Sequence, residues 1–382
     1  MNLYLHEIEN LWDTIPAIQP LSMETPVVIY GAGNSGRKAL RILQEKGYSV
    51  LGFLDQKKST FVEDIPCVLP DSEYAAQWRD QNAAVIIAVM NPQADSREIN
   101  QSLAQLSWNR IISFSQFVEL FHDQWGDHFW ITYRDFYKRG DARKVLLETA
   151  AHWKDQTSRD CFKAILKARL NGRIDELDDF VRVNHQQQYF PKDIPGWPAP
   201  TNFVDCGAFD GDTLREIPTE KLQSVAAFEP DMKNFQALIS STQTSSLFRE
   251  KEVKVLLWPC GVWNESTTLR FNAEQTSSSH VDESGEDMIQ VVALDDVLQQ
   301  FATDFIKMDI EGAELAALKG ARSLIEKNCP ALAICVYHHP AHLWEILRLI
   351  DSWNCGYAFY LRIYGFNGFE VVLYANAQNF SS

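Results

Sequence analysis

The sequence predicts an α/β protein with two Rossmann-like parallel-sheet domains joined by a helical connector. Three observations predict it. Short apolar runs alternate with helix-patterned stretches at both ends of the chain, the order that builds parallel sheets with right-handed crossovers. A glycine-rich turn follows the first strand of each half, over residues 31–36 and 205–213. Between the halves lies a stretch of helix formers and aromatics with almost no strand pattern. A chain of 382 residues also exceeds one ordinary domain. The expected division is 1–118, 119–200 and 201–382.

In the first domain Pro26-Val27-Val28-Ile29-Tyr30 reads as a buried strand and 37–46 as a helix. Ser49-Val50-Leu51-Gly52-Phe53-Leu54 reads as a second strand, and Ala84-Val85-Ile86-Ile87-Ala88-Val89 as a further buried one. The connector carries Trp125, Phe129, Trp130, Tyr133, Phe136 and Tyr137. It closes on Pro191, Pro195, Gly196, Pro198 and Pro200, a cluster that cannot continue a helix. The third region opens on Phe203-Val204-Asp205. Further strands are expected over 224–228, 253–258, 268–271, 289–292, 305–308, 331–336, 358–363 and 371–374. The last two lie close together and suit an antiparallel pair ending the sheet.

Composition narrows the function classes. Hydrophobic residues make up 46% of the chain and charged ones 23%, enough apolar surface for buried cores. The net charge of −16 repels phosphate backbones and anionic lipid, so neither nucleic acid nor a membrane is an expected partner. Seven scattered cysteines without a C-x-x-C pair argue against a disulfide framework and against structural zinc. No signal-peptide pattern and no membrane-length apolar run is present, so a cytoplasmic location is expected.

The C-terminal half holds the richest motif. Asp205-Cys206-Gly207-Ala208-Phe209-Asp210-Gly211-Asp212-Thr213 follows a strand and opens a helix. Glycines there let a ligand approach the backbone, and the helix start offers unpaired N–H groups. Thr213 and Glu216 have capping-box spacing, and Pro218 curtails the helix. A plain tight turn would have the same composition. The next strand ends Phe228-Glu229-Pro230, putting a carboxylate where open α/β sheets bind ribose hydroxyls; a solvated glutamate is the alternative. In Phe305-Ile306-Lys307-Met308-Asp309-Ile310-Glu311-Gly312-Ala313-Glu314, strand alternation places Lys307, Asp309 and Glu311 on one face. They suit positioning, proton transfer or metal binding, or else an ion-paired strand end joining Lys307 to Asp309 or Glu311. Leu315, Leu318 and Ile325 then line one stripe of a following helix.

These segments, with Leu294-Asp295-Asp296 between them, occur in the order and rough spacing of the FkbM family, which this half resembles over roughly 190–375. Leu332-Ala333-Ile334-Cys335-Val336-Tyr337-His338-His339-Pro340 looks like one branch of that family, whose members often carry a Rossmann-like domain upstream. The resemblance implies a class I methyltransferase fold ending in an antiparallel strand pair. It also implies S-adenosyl-L-methionine as cofactor and methylation of a hydroxyl oxygen on a sugar, polyketide or similar secondary metabolite. By it, Asp205, Gly207, Ala208, Gly211 and Thr213, in a loop that includes Phe209 and Asp212, line the methionine end. Glu229, followed by Pro230, takes the ribose, and Cys260 and Gly261 wrap the adenine. Many members carry a glutamate in the strand that here reads Ile334-Cys335-Val336-Tyr337; its absence leaves the roles of His338 and His339 open.

Methyl transfer to a hydroxyl needs alignment and a proton acceptor. One of His338 and His339 is the expected base, with Asp309 and Glu311 positioning acceptor or donor. A competing arrangement has Asp309, Glu311 and a histidine hold a divalent metal, although no resident metal is expected. His280, on a serine-rich loop, is a weaker candidate. The expected partner is a small-molecule or saccharide acceptor, and a homo-oligomer is compatible with the sequence.

The first domain has its own fingerprint: Gly31, Gly33 and Gly36 after a strand, then Asp55 at the end of the next. It resembles nucleotide-binding Rossmann domains found beside sugar-modifying enzymes, which implies a nucleotide or nucleotide-sugar ligand. A ligand-free scaffold is the alternative. An NAD(P)-dependent oxidoreductase is the alternative function, but no Tyr-x-x-x-Lys arrangement follows.

Overall fold

The computed structural model describes residues 3–57, 60–125, 134–138, 140–182, 185–245, 248, 252–272, 280–281 and 287–377. Phe129, Trp130 and Tyr133, and the side chain of His280, lie outside the described residues. The chain forms two compact units. One comprises Met1–Leu147, Asp160–Arg182 and Ile363–Phe369; the other comprises Glu148–Arg159, Val183–Arg362 and Glu370–Ser382. The stretch 119–200 is thus shared between them. Among the described residues no helix is long and apolar enough to cross a membrane.

The first unit is built on β1 (Val27–Tyr30), β2 (Val50–Leu54), β3 (Phe61–Val62), β4 (Ile65–Val68), β5 (Ala84–Ile87) and β6 (Ile111–Ile112), in the order β3-β4-β2-β1-β5-β6. All neighbours are parallel except the β3–β4 hairpin. β1 is buried along its whole length, as a strand covered on both faces must be. The chain leaves β1 between β2 and β5, the switch point where an open α/β sheet has its crevice. The helix expected over 37–46 runs instead over Asn34–Glu45, because the extended backbone of Gly33 lets it begin at once.

The second unit carries β7 (Asn202–Cys206), β8 (Ser224–Phe228), β9 (Lys254–Trp258), β10 (Gly261–Val262), β11 (Thr267–Asn272), β12 (His280–Val281), β13 (Asp287–Val292), β14 (Phe305–Met308), β15 (Ala331–Cys335), β16 (Tyr357–Ile363) and β17 (Val371–Ala377). The main sheet has the order β16-β17-β15-β14-β7-β8-β9, and a smaller one the order β10-β13-β11-β12. From β15 to β9 the main sheet is parallel, and β17 joins it antiparallel to β15. The expected α/β class and antiparallel ending are therefore observed. The switch point falls between β7 and β14, directly above the glycine loop that follows β7.

Three local expectations are corrected. Thr213 and Glu216 form no capping box: Gly211, with φ +86°, is the N-cap, and the helix Asp212–Glu216 starts one residue before Thr213. The strand carrying Lys307 ends at Met308, and Glu311 has φ +52°, so strand alternation does not extend to it. The single helix expected after Glu314 is two, Glu314–Lys319 and Arg322–Asn328. They part at Gly320, where a Cβ would sit 2.1 Å from the Trp263 carbonyl oxygen.

Asp295 explains why the second of these helices starts where it does. Its carboxylate accepts from the backbone N–H of Ser323 at 2.9 Å and of Leu324 at 2.8 Å, supplying acceptors that the helix start lacks. Asp295→Ala is expected to lower stability by about 1–2 kcal/mol, read by urea unfolding, with Asp295→Asn recovering part of the loss.

Candidate active site

The site grows from the ends of β7, β8 and β14. Lys307 and Asp205 are register partners in β14 and β7. Their side chains are 2% and 0% exposed, and Lys307 Nζ lies 3.0 Å from Asp205 Oδ1. The ammonium also donates to the Gly207 carbonyl. Burial alone would lower the Lys307 pKa, but the carboxylates of Asp205, Asp309 and Asp212 raise it, so it stays charged. The alternative of an ion-paired Lys307 is thus seen, but with Asp205 in place of Asp309 or Glu311. Asp205, expected to line the cofactor, has its side chain sealed from solvent.

The loop is then drawn tight. Gly207 and Ala208 both donate to the Phe228 carbonyl at 3.0 Å. Gly207 has φ +81°, and a Cβ there would lie 2.0 Å from the Asp309 carbonyl oxygen, so only glycine lets the loop meet the end of β14. Glu229 closes the other side: its Oε2 accepts from Phe209 N–H and its Oε1 from Asp231 N–H, both at 2.9 Å. Burial raises the Glu229 pKa, against these two hydrogen bonds. Each carboxylate oxygen keeps a lone pair for a further donor, which suits ribose hydroxyls. Phe209, with φ +46°, is 42% exposed above the loop. Asp212 caps its neighbour, accepting from Thr213 N–H at 2.7 Å, and Thr213 is buried. Gly261 stands beside Pro230, its Cβ position 3.9 Å from the proline Cβ. Cys260 is packed away, burial pushing its thiol up to about 11.

The histidine pair divides. His338 enters a carboxylate cluster, with Nδ1 2.8 Å from Glu314 Oε1 and Nε2 3.5 Å from both Asp309 Oδ1 and Glu311 Oε2. His339 is exposed, and its Nδ1 accepts from Ala341 N–H at 3.2 Å, so it does not join the cluster. Burial alone would lower the His338 pKa, but Glu314, Glu311 and Asp309 raise it to about 10. The carboxylates around it therefore favour the protonated imidazole. Burial pushes Glu311 up to about 8, with Asp309 and Glu314 adding to it against His338.

Three participants escaped the sequence reading. Glu314 is fully buried and accepts from Ile310 N–H at 3.0 Å as well as facing His338. Burial would raise its pKa, but His338 and His342 hold it far below the carboxylate range. Tyr189 donates to Asp309 Oδ2 at 2.8 Å, from a segment that reads as linker. Glu370, hydrogen-bonded by Gln188, is pushed up to about 7 by burial and by Asp309. Only Glu314 carried a signal, its place in the Lys307–Glu314 string.

The first unit repeats the loop device. Gly31 has φ +100°, and a Cβ on Gly36 would lie 2.0 Å from the Gly31 carbonyl oxygen, while Gly33 faces open space. Asp55 Oδ2 accepts from Ala32 N–H at 3.0 Å and Oδ1 from Lys57 N–H at 2.8 Å.

Removing one member of the buried pair strands the other's charge. Lys307→Met is expected to destabilise the protein by about 3–5 kcal/mol in denaturant unfolding. The double variant Asp205→Asn/Lys307→Met should be the more stable of the two.

Comparison with known proteins matches these features. Residues 205–359 match the Methyltransferase FkbM domain family, and residues 26–100 match the PglD N-terminal domain family. Over 114 residues the chain is 25% identical to the Redox-sensing transcriptional repressor Rex 1 of Thermotoga maritima, a match covering 29% of this chain and 55% of that protein's length. The chain thus spans about half of that curated relative. The crystal structure of Methyltransferase FkbM from Methylobacillus flagellatus KT is similar over 98% of both chains, at 22% identity and a TM-score of 0.78; at that identity the likeness speaks for the fold. The glycine loop, Glu229 and the Lys307–Glu314 segment all lie inside the span that matches the Methyltransferase FkbM domain, and the Rossmann-like loop over 31–36 lies inside the span that matches the PglD N-terminal domain.

Proposed function

We propose that the protein transfers a methyl group from S-adenosyl-L-methionine to a hydroxyl oxygen of a sugar, saccharide or other secondary metabolite. The observation carrying this reading is adjacency: the loop expected to hold the cofactor touches, through Gly207, the residue that opens the carboxylate–imidazole cluster, Asp309. A donor site and a proton-accepting site then share one crevice.

The residues fit the cofactor. Glu229 is buried yet keeps acceptor capacity for two ribose hydroxyls, and the loop from Gly207 to Thr213 leaves Phe209 exposed above the crevice. Bound there, S-adenosyl-L-methionine supplies a methyl group already activated on a sulfonium. The chain's task is to align the acceptor, worth about 7–11 kcal/mol of barrier, and to take its proton. The acceptor oxygen bonds to the methyl carbon as the carbon–sulfur bond breaks, its electron pair leaving with sulfur. Asp309 takes the hydroxyl proton on Oδ1, its Oδ2 being held by Tyr189. Glu311, 32% exposed, positions the acceptor. The oxidoreductase alternative is not favoured, because the matched methyltransferase domain accounts for the C-terminal half.

Calorimetric titration with S-adenosylhomocysteine tests the cofactor. Micromolar binding weakened tenfold or more by Glu229→Ala, about 1.4 kcal/mol, is expected. Because burial raises the Glu229 pKa, affinity should fall on acidification before an exposed glutamate would protonate, and Glu229→Gln should flatten that dependence. No binding by the wild type would sink the reading.

For the N-terminal unit, the loop over 31–36 with Asp55 supports binding of a nucleotide or nucleotide-sugar. A thermal-shift panel of NAD(H), NADP(H), UDP-sugars and GDP-sugars tests this: stabilisation by one of them, abolished in Asp55→Ala, is expected. No shift with any would favour a ligand-free scaffold.

A further inference from the structure

We propose that His338 is an acceptor-binding residue: its Nε2–H donates to an acceptor oxygen beside the one that is methylated, so the site selects two neighbouring hydroxyls. The inference deepens the methyl-transfer reading and rests on it. The His338 side chain is 3% exposed, and its Nε2 makes no hydrogen bond among the described residues. That nitrogen faces Asp309 Oδ1 and Glu311 Oε2, each at 3.5 Å, beyond ordinary hydrogen-bond reach. A buried polar atom without a partner costs free energy, and a ligand oxygen arriving there removes that cost.

The ring is aimed from behind. Its Nδ1 lies 2.8 Å from Glu314 Oε1. Glu314 is fully buried and accepts from Ile310 N–H at 3.0 Å, and its Oε2 lies 3.3 Å from His342 Nδ1. Glu314 and His342 are thus positioning residues, fixing the direction of His338 without touching the acceptor. Carboxylate oxygens face both nitrogens of the ring, so a bare lone pair at Nε2 would meet those of Asp309 and Glu311, and a proton there is favoured. Burial alone would lower the His338 pKa, but Glu314, Glu311 and Asp309 raise it to about 10. Nε2 is then a donor.

The surrounding charges select the oxygen. Asp309 Oδ1 takes the proton of the reacting hydroxyl. A second donor on that same oxygen would compete with the methyl carbon for its electron pair, so the oxygen on His338 belongs to a neighbouring group. An anionic group is repelled by Asp309 and Glu311, whereas a hydroxyl satisfies both sides: it accepts from His338 Nε2–H and donates to Glu311 Oε2. Glu311 is held at φ +52°, with Gly312 after it at φ +101°, a backbone costly for a residue with a side chain and concentrated at functional sites. A site built to hydrogen-bond a hydroxyl rejects an analogue lacking it, because its buried donor is left unpaired.

The test is nuclear magnetic resonance of the full chain carrying ¹⁵N-labelled histidine, with S-adenosylhomocysteine added and His338→Gln used to assign the ring. Two probes are titrated: 1,4-anhydroerythritol, with neighbouring hydroxyls, and 3-hydroxytetrahydrofuran, with one. Protons on both ring nitrogens at neutral pH are expected. The diol should move the Nε2–H signal with at least tenfold higher affinity than the mono-alcohol. Glu314→Gln should lose that preference while S-adenosylhomocysteine affinity stays within twofold, a split that a merely structural role would not give. If either variant fails to fold, Glu311→Gln, on a partly exposed side chain, carries the test by weakening the diol tenfold and the mono-alcohol little. An unprotonated Nε2, a diol that leaves the signal unmoved at millimolar concentration, or equal affinity for the two probes overturns the proposal. So does a diol preference that Glu311→Gln leaves unchanged. Diol preference without any S-adenosylhomocysteine binding would keep the acceptor site and remove the methyl-transfer reading.

Discussion

Lys307 and Asp205 face each other across β14 and β7 with almost no access to solvent, and the placement of the site follows from that contact. Two charges out of water are tolerable only when each satisfies the other and further partners are at hand. Here the ammonium also reaches the Gly207 carbonyl, so the pair fixes the first residue of the loop as well as the two strand ends. Gly207 then sits against Asp309 without room for a Cβ. The loop and the carboxylate cluster are thereby locked together at the switch point of the sheet, where a ligand crevice opens.

Both units use a carboxylate at the end of the second strand in the same way. Glu229 accepts from Phe209 N–H in one, and Asp55 from Ala32 N–H in the other. The acid shapes the glycine loop in each unit. The same economy appears in Leu294-Asp295-Asp296, where Asp295 serves as the acceptor for a helix start.

The carboxylate cluster is organised around one imidazole. Asp309 gives Oδ2 to Tyr189 and turns Oδ1 toward His338, while Glu314 Oε1 accepts from Ile310 N–H and faces the same ring. Such backing fixes the side chains around the imidazole. The surrounding carboxylates push the His338 pKa up against the desolvation that would lower it.

Much was legible from the residues. Short, largely apolar runs marked β1, β7, β8 and β14, because strands covered on both faces need not alternate in polarity. Spacing alone put Glu229 and Asp55 at strand ends beside their loops. Other features depended on distance in space. Lys307 lies two residues from Asp309, yet it pairs with Asp205, since register between strands, not proximity in sequence, decides which side chains meet. His338 and His339 are neighbours of one type, and only the turn after β15 sends one into the cluster and the other toward Ala341. Tyr189 and Glu370 sit in irregular segments whose patterns carry no periodic signal, so the sequence determined the sheets and loops, while tertiary packing alone decided which acids share an imidazole and which protonation state that imidazole keeps.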